Sequence, residues 1–148
     1  MRRRTPALCS LILALACTSP TGPENDLAAA RVRWARAGIH SYDVIVRRSC
    51  ECTEEMTGPV RVEVRNGLVQ SRRYVGSGES VAPAELAAEF TSVEEMFAKI
   101  DAALARPVAR LEVRYDSRTG APLHVFIDHV AGMVDDEVVY TLSEVQPR

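Results

Sequence analysis

The stretch Val60-Arg61-Val62-Glu63-Val64-Arg65-Asn66-Gly67 constrains the fold more than any other part of the chain. Valines alternate with charged residues at a period of two, so the β-branched side chains share one face and the charges share the other. Asn66-Gly67 is the preferred pair for a two-residue hairpin, because both central residues of that turn need positive φ. Residues 68–75 are then the returning strand. The sequence thereby commits to an antiparallel sheet with one apolar face.

Other segments extend that sheet. Residues 41–48 place Tyr42, Val44 and Val46 on one face. Residues 109–115 and 122–128 alternate on either side of a turn signal running from Asp116 to Gly120, and residues 137–142 supply a last strand. Two segments have helical period instead. In the first, Leu27, Ala30, Trp34 and Ala37 recur after the capping candidates Asn25 and Asp26, and Gly38 stands where a glycine stop belongs. Trp34 is expected to face the core. In the second, Ser92-Val93-Glu94-Glu95 is a capping box, and Val93, Phe97, Ile100 and Leu104 form one apolar face up to Pro107. The order α-β-β-β-α-β-β-β predicts an α+β domain, with two helices packed on one face of an antiparallel sheet of about six strands. Two halves of like order hint at a pseudo-repeat, without residue identity between them.

The N-terminus reads as an export leader. Arg2, Arg3 and Arg4 precede an apolar run from Leu8 to Leu15, too short to span a bilayer. Leu13-Ala14-Leu15-Ala16-Cys17 resembles a bacterial lipobox, with alanine at the third position before the cysteine, while Ala14-Leu15-Ala16 alone also suits ordinary signal peptidase. The expected organisation is a leader at 1–16, a lipidated Cys17 with a flexible tether at 17–23, and one domain at 24–148. Lipidation would hold the protein in the bacterial cell envelope, on the periplasmic face of the outer membrane in a Gram-negative host. Cleavage by ordinary signal peptidase would release it as a secreted protein. The chain has 18 basic residues, three of them in the leader, against 20 acidic, so the processed charge is about −5. A nucleic-acid partner is not expected of such a balance.

Export decides how the remaining cysteines are read. Cys9 leaves with the leader, so Cys50 and Cys52 are left in an oxidising compartment that favours disulfides. In an extended strand their α-carbons would lie about 6.6 Å apart, at the top of the roughly 4.4–6.8 Å range for disulfides, so a local bond requires the backbone to bend. A strained bond in so small a loop would be comparatively reducible, which keeps a thiol redox role open. Against that role, Glu51, Glu54 and Glu55 would raise a thiol pKa while Arg47 and Arg48 would lower it, and the C-x-x-C spacing is absent. A third reading is a metal site completed by His40, His124 or His129. Asp128, Asp135, Asp136 and Glu137 cluster near the last turn and are weak candidates for Ca²⁺, although they lack the order of a known calcium loop. No catalytic residue is assigned: the chain has neither a G-x-S-x-G elbow nor a phosphate-binding P-loop, and Gly76 to Ser80 reads as a polar loop. No motif calls for a cofactor.

Taken together, Trp34 before Ser41-Tyr42, Cys50 and Cys52, the hairpin arm from Val60 to Gly67, Phe97, Tyr115-Asp116 with Gly120 and Pro122, and Asp135-Asp136-Glu137 resemble the exported bacterial proteins that carry domain of unknown function 6174. The resemblance spans most of the processed chain. It implies a soluble or lipid-anchored domain outside the cytoplasm and brings no known activity, substrate or catalytic residue. The expected function is a non-enzymatic binding or structural domain of the envelope, anchored to a membrane through Cys17. Its partner would be an envelope protein or a small ligand, and Cys50 and Cys52 would form a local disulfide. The alternative is a thiol redox or metal-handling protein that uses the same pair.

Overall fold

The structure, a computed structural model, describes residues 22–133 and 136–148. Helix α1 (Pro23–Ala37) leads into β1 (Tyr42–Ser49), a short 3-10 turn (Glu54–Met56), and the hairpin of β2 (Val60–Arg65) and β3 (Leu68–Tyr74). A one-turn helix α2 (Ala84–Ala87) and helix α3 (Val93–Leu104) follow, then β4 (Arg110–Tyr115), β5 (Pro122–Asp128) and β6 (Glu137–Pro147). The six strands form one antiparallel sheet in the order β3-β2-β1-β6-β5-β4. The fold is α+β, as expected, with α2 as an extra helix inside a stretch that reads as loop.

Local chemistry explains most boundaries. Asn66 and Gly67 have φ of 52° and 76°, so the hairpin closes on two left-handed residues. The capping box at α3 is complete, with Glu95 N donating to Ser92 Oγ at 3.1 Å and Ser92 N donating to Glu95 Oε2 at 2.7 Å. Helix α1 stops at Gly38, whose φ of 62° is the left-handed cap glycine supplies readily. Its start differs from expectation. Gly22 is the N-cap and Pro23 opens the helix, the last residue of the stretch assigned to the tether, while Asn25 and Asp26 fall inside the first turn. Proline presets a helical φ, which lets the helix begin earlier than its polar capping candidates.

Strand β1 lies at the centre of the sheet, and Tyr42 through Val46 are all buried. Strand β2, one position out, keeps the clean alternation of a half-buried strand, with Val60, Val62 and Val64 fully buried. Burying each such valine stabilises the fold by about 1.5–3 kcal/mol. These side chains, with Tyr42, Val44, Val46, Val125, Ile127, Tyr140 and Leu142, face α1 and α3. Strand β6 runs five residues beyond the segment visible in sequence. The extension passes an irregularity in its pairing with β1, where Glu144 has φ 53°. That irregularity interrupts the apolar alternation, so Ser143-Glu144 looks like a strand end.

A polar tie sets the helices on the sheet. Glu94, in the first turn of α3, accepts from Trp34 Nε1 at 2.9 Å and from the Tyr42 hydroxyl at 2.5 Å. The same hydroxyl accepts from Val93 N at 2.9 Å, so α1, β1 and α3 meet at one carboxylate. Arg31 of α1 adds an ion pair to Asp101 of α3.

The repeat suggested by element order is not a structural one. Both three-strand meanders step across the sheet in the same direction, with their strands reversed and both helices on the same face. Only a reflection relates two such halves, and no rotation of an L-peptide unit can produce one.

A cavity lined by arginines

Three parts of the chain converge at the C-terminal end of α1. Its last turn and cap supply Arg33, Arg36, Ala37 and Gly38, the link to β1 supplies Ile39, His40 and Ser41, the β4–β5 turn supplies Arg118 and Thr119, and the end of β6 supplies Pro147 and Arg148. They line an open cavity of about 710 Å³ on the surface. This is within the usual range for a small-ligand site, roughly 300–1,000 Å³.

Each wall has a local cause. In the β4–β5 turn, Asp116 Oδ1 accepts from Arg118 N at 3.1 Å, Thr119 N at 2.6 Å and Thr119 Oγ1 at 2.8 Å. Those bonds, the backbone and side-chain bonds from Thr119 foremost, hold the Asp116 carboxyl below its ordinary pKa, so at neutral pH it is ionised and occupied by its own turn. The turn sits hard against α1. A β-carbon on Gly120, whose φ is 81°, would lie 2.1 Å from the Ala30 carbonyl oxygen. At the third wall, Arg148 N donates to Ser41 O at 2.9 Å, and its guanidinium reaches Asp43 Oδ2 at 2.6 and 3.1 Å. Arg65 holds the other oxygen of Asp43 at 2.9 Å.

The electrostatics of the cavity are one-sided. Four arginines line it and no acidic side chain does. Arg148 is offset by Asp43, whereas Arg33, Arg36 and Arg118 make no salt bridge among the described residues. The carbonyl end of α1 contributes a partial negative charge of about one half, less than three guanidiniums carry. A second cavity of about 180 Å³ adjoins the first, sharing Ile39, Arg118, Thr119 and Pro147 and adding Asp116, Ala121, Leu123 and Val145.

Apart from His40, the described residues singled out from sequence lie elsewhere. Cys50 and Cys52 form a close pair just past the end of β1, with α-carbons 5.3 Å apart. Cys52 N donates to Cys50 O at 2.9 Å, so the backbone bends there as local bonding requires. Arg48 is engaged by Met56 O at 3.2 Å, Glu89 at 3.7 Å and the face of Tyr140, whose hydroxyl donates to Glu89 at 2.8 Å. The cavity lies at the start of β1 and the cysteines beyond its end, roughly 25–30 Å apart at strand rise. Of the histidines, only His40 lines the large cavity; His124 faces Arg114 and Thr141 across the sheet, and His129 borders a small cleft beside Lys99. Asp128 and Glu137 are cross-strand partners at the ends of β5 and β6, and Asp136 directly precedes β6. Among the described residues no group of three or more His, Cys, Asp or Glu is arranged to hold a metal ion. Cys17 and Asp135 lie outside the described residues.

Sequence reasoning missed Arg33, Arg36, Arg118 and Arg148 as a set. The one readable signal was the spacing of Arg33 and Arg36, which puts two like charges on one helix face with no acidic partner three or four residues away.

The sheet and its one-sided helices define a small α+β domain. The chain belongs to the family of unknown function DUF6174, which it matches over residues 26–147. Among curated proteins and solved structures, none matches it significantly. No described helix is long and apolar enough to cross a membrane.

Proposed function

We propose that the protein is a non-enzymatic binding domain of the bacterial cell envelope, exported, tethered by a lipid on Cys17, and closed locally by a Cys50–Cys52 disulfide. The arginine-lined cavity carries the reading. It offers many hydrogen-bond donors on a preformed wall, and its charges are poised to hold a ligand. Groups with strongly shifted pKa, by contrast, do not line it: burial and the neighbouring Glu94 carboxylate raise the Tyr42 hydroxyl at the helix tie, and burial pushes Tyr115 up to about 12. The alternative redox or metal-handling role would use the cysteine pair and leave the cavity without a purpose.

Intact-mass analysis of the protein purified from its native envelope, with and without reductant, tests the reading when combined with thiol labelling and metal analysis. An acylated Cys17, with Cys50 and Cys52 labelled only after reduction and no stoichiometric metal, supports it. Free thiols or a bound metal at the cysteine pair would move the function to that pair.

A further inference from the structure

We propose that the arginine-lined cavity and its smaller neighbour together bind a small anionic amphiphile, a molecule with a carboxylate or phosphate head group and a short aliphatic or aromatic body. The proposal rests on the reading of the chain as a binding domain and names the class of its ligand.

The head group follows from charge. Arg33 and Arg36 stand three residues apart on α1, close enough for their repulsion to destabilise the helix unless an anion lies between them. Elsewhere Arg31, Arg65, Arg72 and Arg110 each pair with a carboxylate of the protein itself. No acidic side chain lines the larger cavity; Asp116 of the smaller one lies near Arg118 but is engaged by its own turn, so Arg33 and Arg36 are without an acidic partner and Arg118 adds a guanidinium that is only partly offset. Guanidinium forks match planar or tetrahedral oxyanions in a bidentate way, which selects carboxylate or phosphate over a neutral polar group.

The apolar body follows from the other walls. Ile39 and Pro147 border both cavities, and beyond them lie Ala121, Leu123 and Val145. A bare anion would leave this surface wet. A ligand with a short apolar portion covers it and gains by the area removed from water. Position indicates the source. The chain enters α1 at Pro23, and the cavity lies at the far end of a 15-residue helix, about 22 Å away along its axis. A lipid tether ahead of Pro23 would join the domain at the end of α1 opposite the cavity, which suits a ligand that arrives as a dispersed molecule.

Calorimetric titration of the full chain carrying Cys17→Ser tests this with octyl phosphate, inorganic phosphate and octyl glucoside, each below any micelle-forming concentration, and with phosphatidylglycerol vesicles. Octyl phosphate should bind about tenfold or more tightly than inorganic phosphate, and octyl glucoside should not bind. The Arg33→Gln/Arg118→Gln variant should lose about tenfold in octyl phosphate affinity with an unchanged unfolding midpoint, and so should Arg36→Gln, which changes an exposed side chain. Equal affinity for inorganic and octyl phosphate overturns the amphiphile while leaving a binding domain. Equal affinity for octyl glucoside, or arginine variants that bind normally, overturns the charged head group. Binding to vesicles without binding of octyl phosphate overturns the dispersed source. If no probe binds, the cavity is not the binding site and the functional reading built on it falls as well.

Discussion

Replacing Glu94 by alanine should uncouple both helices from the sheet at a single point. Its carboxylate accepts from Trp34 Nε1 and from the Tyr42 hydroxyl, and these donors belong to residues that are 7% and 0% exposed. A hydrogen bond to a charged acceptor contributes about 1.5–3 kcal/mol, and a buried donor left without one costs a similar amount. Position 94 is itself exposed, so water can enter the vacated space and recover part of the loss. The expected cost is about 2–4 kcal/mol, a fall in Tm of roughly 8–16 °C for a domain of this size. Urea unfolding followed by fluorescence reads it directly, because Trp34 is the only tryptophan and sits at the tie. Tyr42→Phe supplies the cross-check: it breaks one of the same bonds, so the double variant should lose about 1 kcal/mol less than the two single losses added together. The hydroxyl also has an alkaline signature. Its pKa is raised by burial and by Glu94, so the folded state holds the proton more tightly, and the associated stability is lost as the pH rises above the ordinary tyrosine value near 10. Tyr42→Phe should remove that alkaline loss. A cost under about 0.5 kcal/mol for Glu94→Ala, or simple additivity in the cycle, would refute the tie.

Gly120→Ala should cost about 3–5 kcal/mol, the sum of a left-handed backbone held by a residue with a side chain and a β-carbon driven into the Ala30 carbonyl; a chemical denaturation curve with an unchanged midpoint would contradict this. Asp43→Asn should cost about 1–3 kcal/mol, since Arg65 and Arg148 are half-exposed and can rehydrate. Burial alone would raise the Asp43 pKa, but the Arg148 and Arg65 guanidiniums outweigh it and the pKa is lowered, so its stabilisation is present above about 3.9 and is lost as the pH falls below that value. An acid titration of stability should show this loss in the parent chain and not in the variant. Joint replacement of Cys50 and Cys52 by serine should cost only about 1–2 kcal/mol, because the proposed bond spans two residues and would constrain the unfolded chain little; thermal unfolding that shows collapse of the fold would give the pair a larger structural role.

Local patterns with a single physical cause were legible in the sequence. The hairpin at Asn66-Gly67, the capping box at Ser92 and the stop at Gly38 each depend on a few adjacent residues, and each forms as expected. Signals failed where tertiary contacts override the local pattern. Asp43 sits in an otherwise apolar run, and nothing adjacent announces that it is buried between an arginine of the neighbouring hairpin and the last residue of the chain. The far half of β6 is strand because it pairs along β1, although the apolar alternation read from sequence ends at Leu142. The helix α2, one turn long, is below the length at which periodicity means anything.

The cavity was illegible for a deeper reason. Its arginines come from positions 33, 36, 118 and 148, and the topology that joins them depends on β6 returning to the centre of the sheet beside β1. Once β6 takes that place, Arg148 comes to lie beside the start of β1, and Asp43 fixes its guanidinium there. The β4–β5 turn reaches the same corner only because Gly120 lets it press against α1. Charge patterning along a sequence cannot reveal such a site in a chain that is acidic as a whole, since each arginine alone looks like a solvated surface residue. What distinguishes these arginines is their convergence on one cavity wall that carries no acidic side chain of its own, a property of the folded surface that makes an incoming anion the natural counter-charge for Arg33 and Arg36.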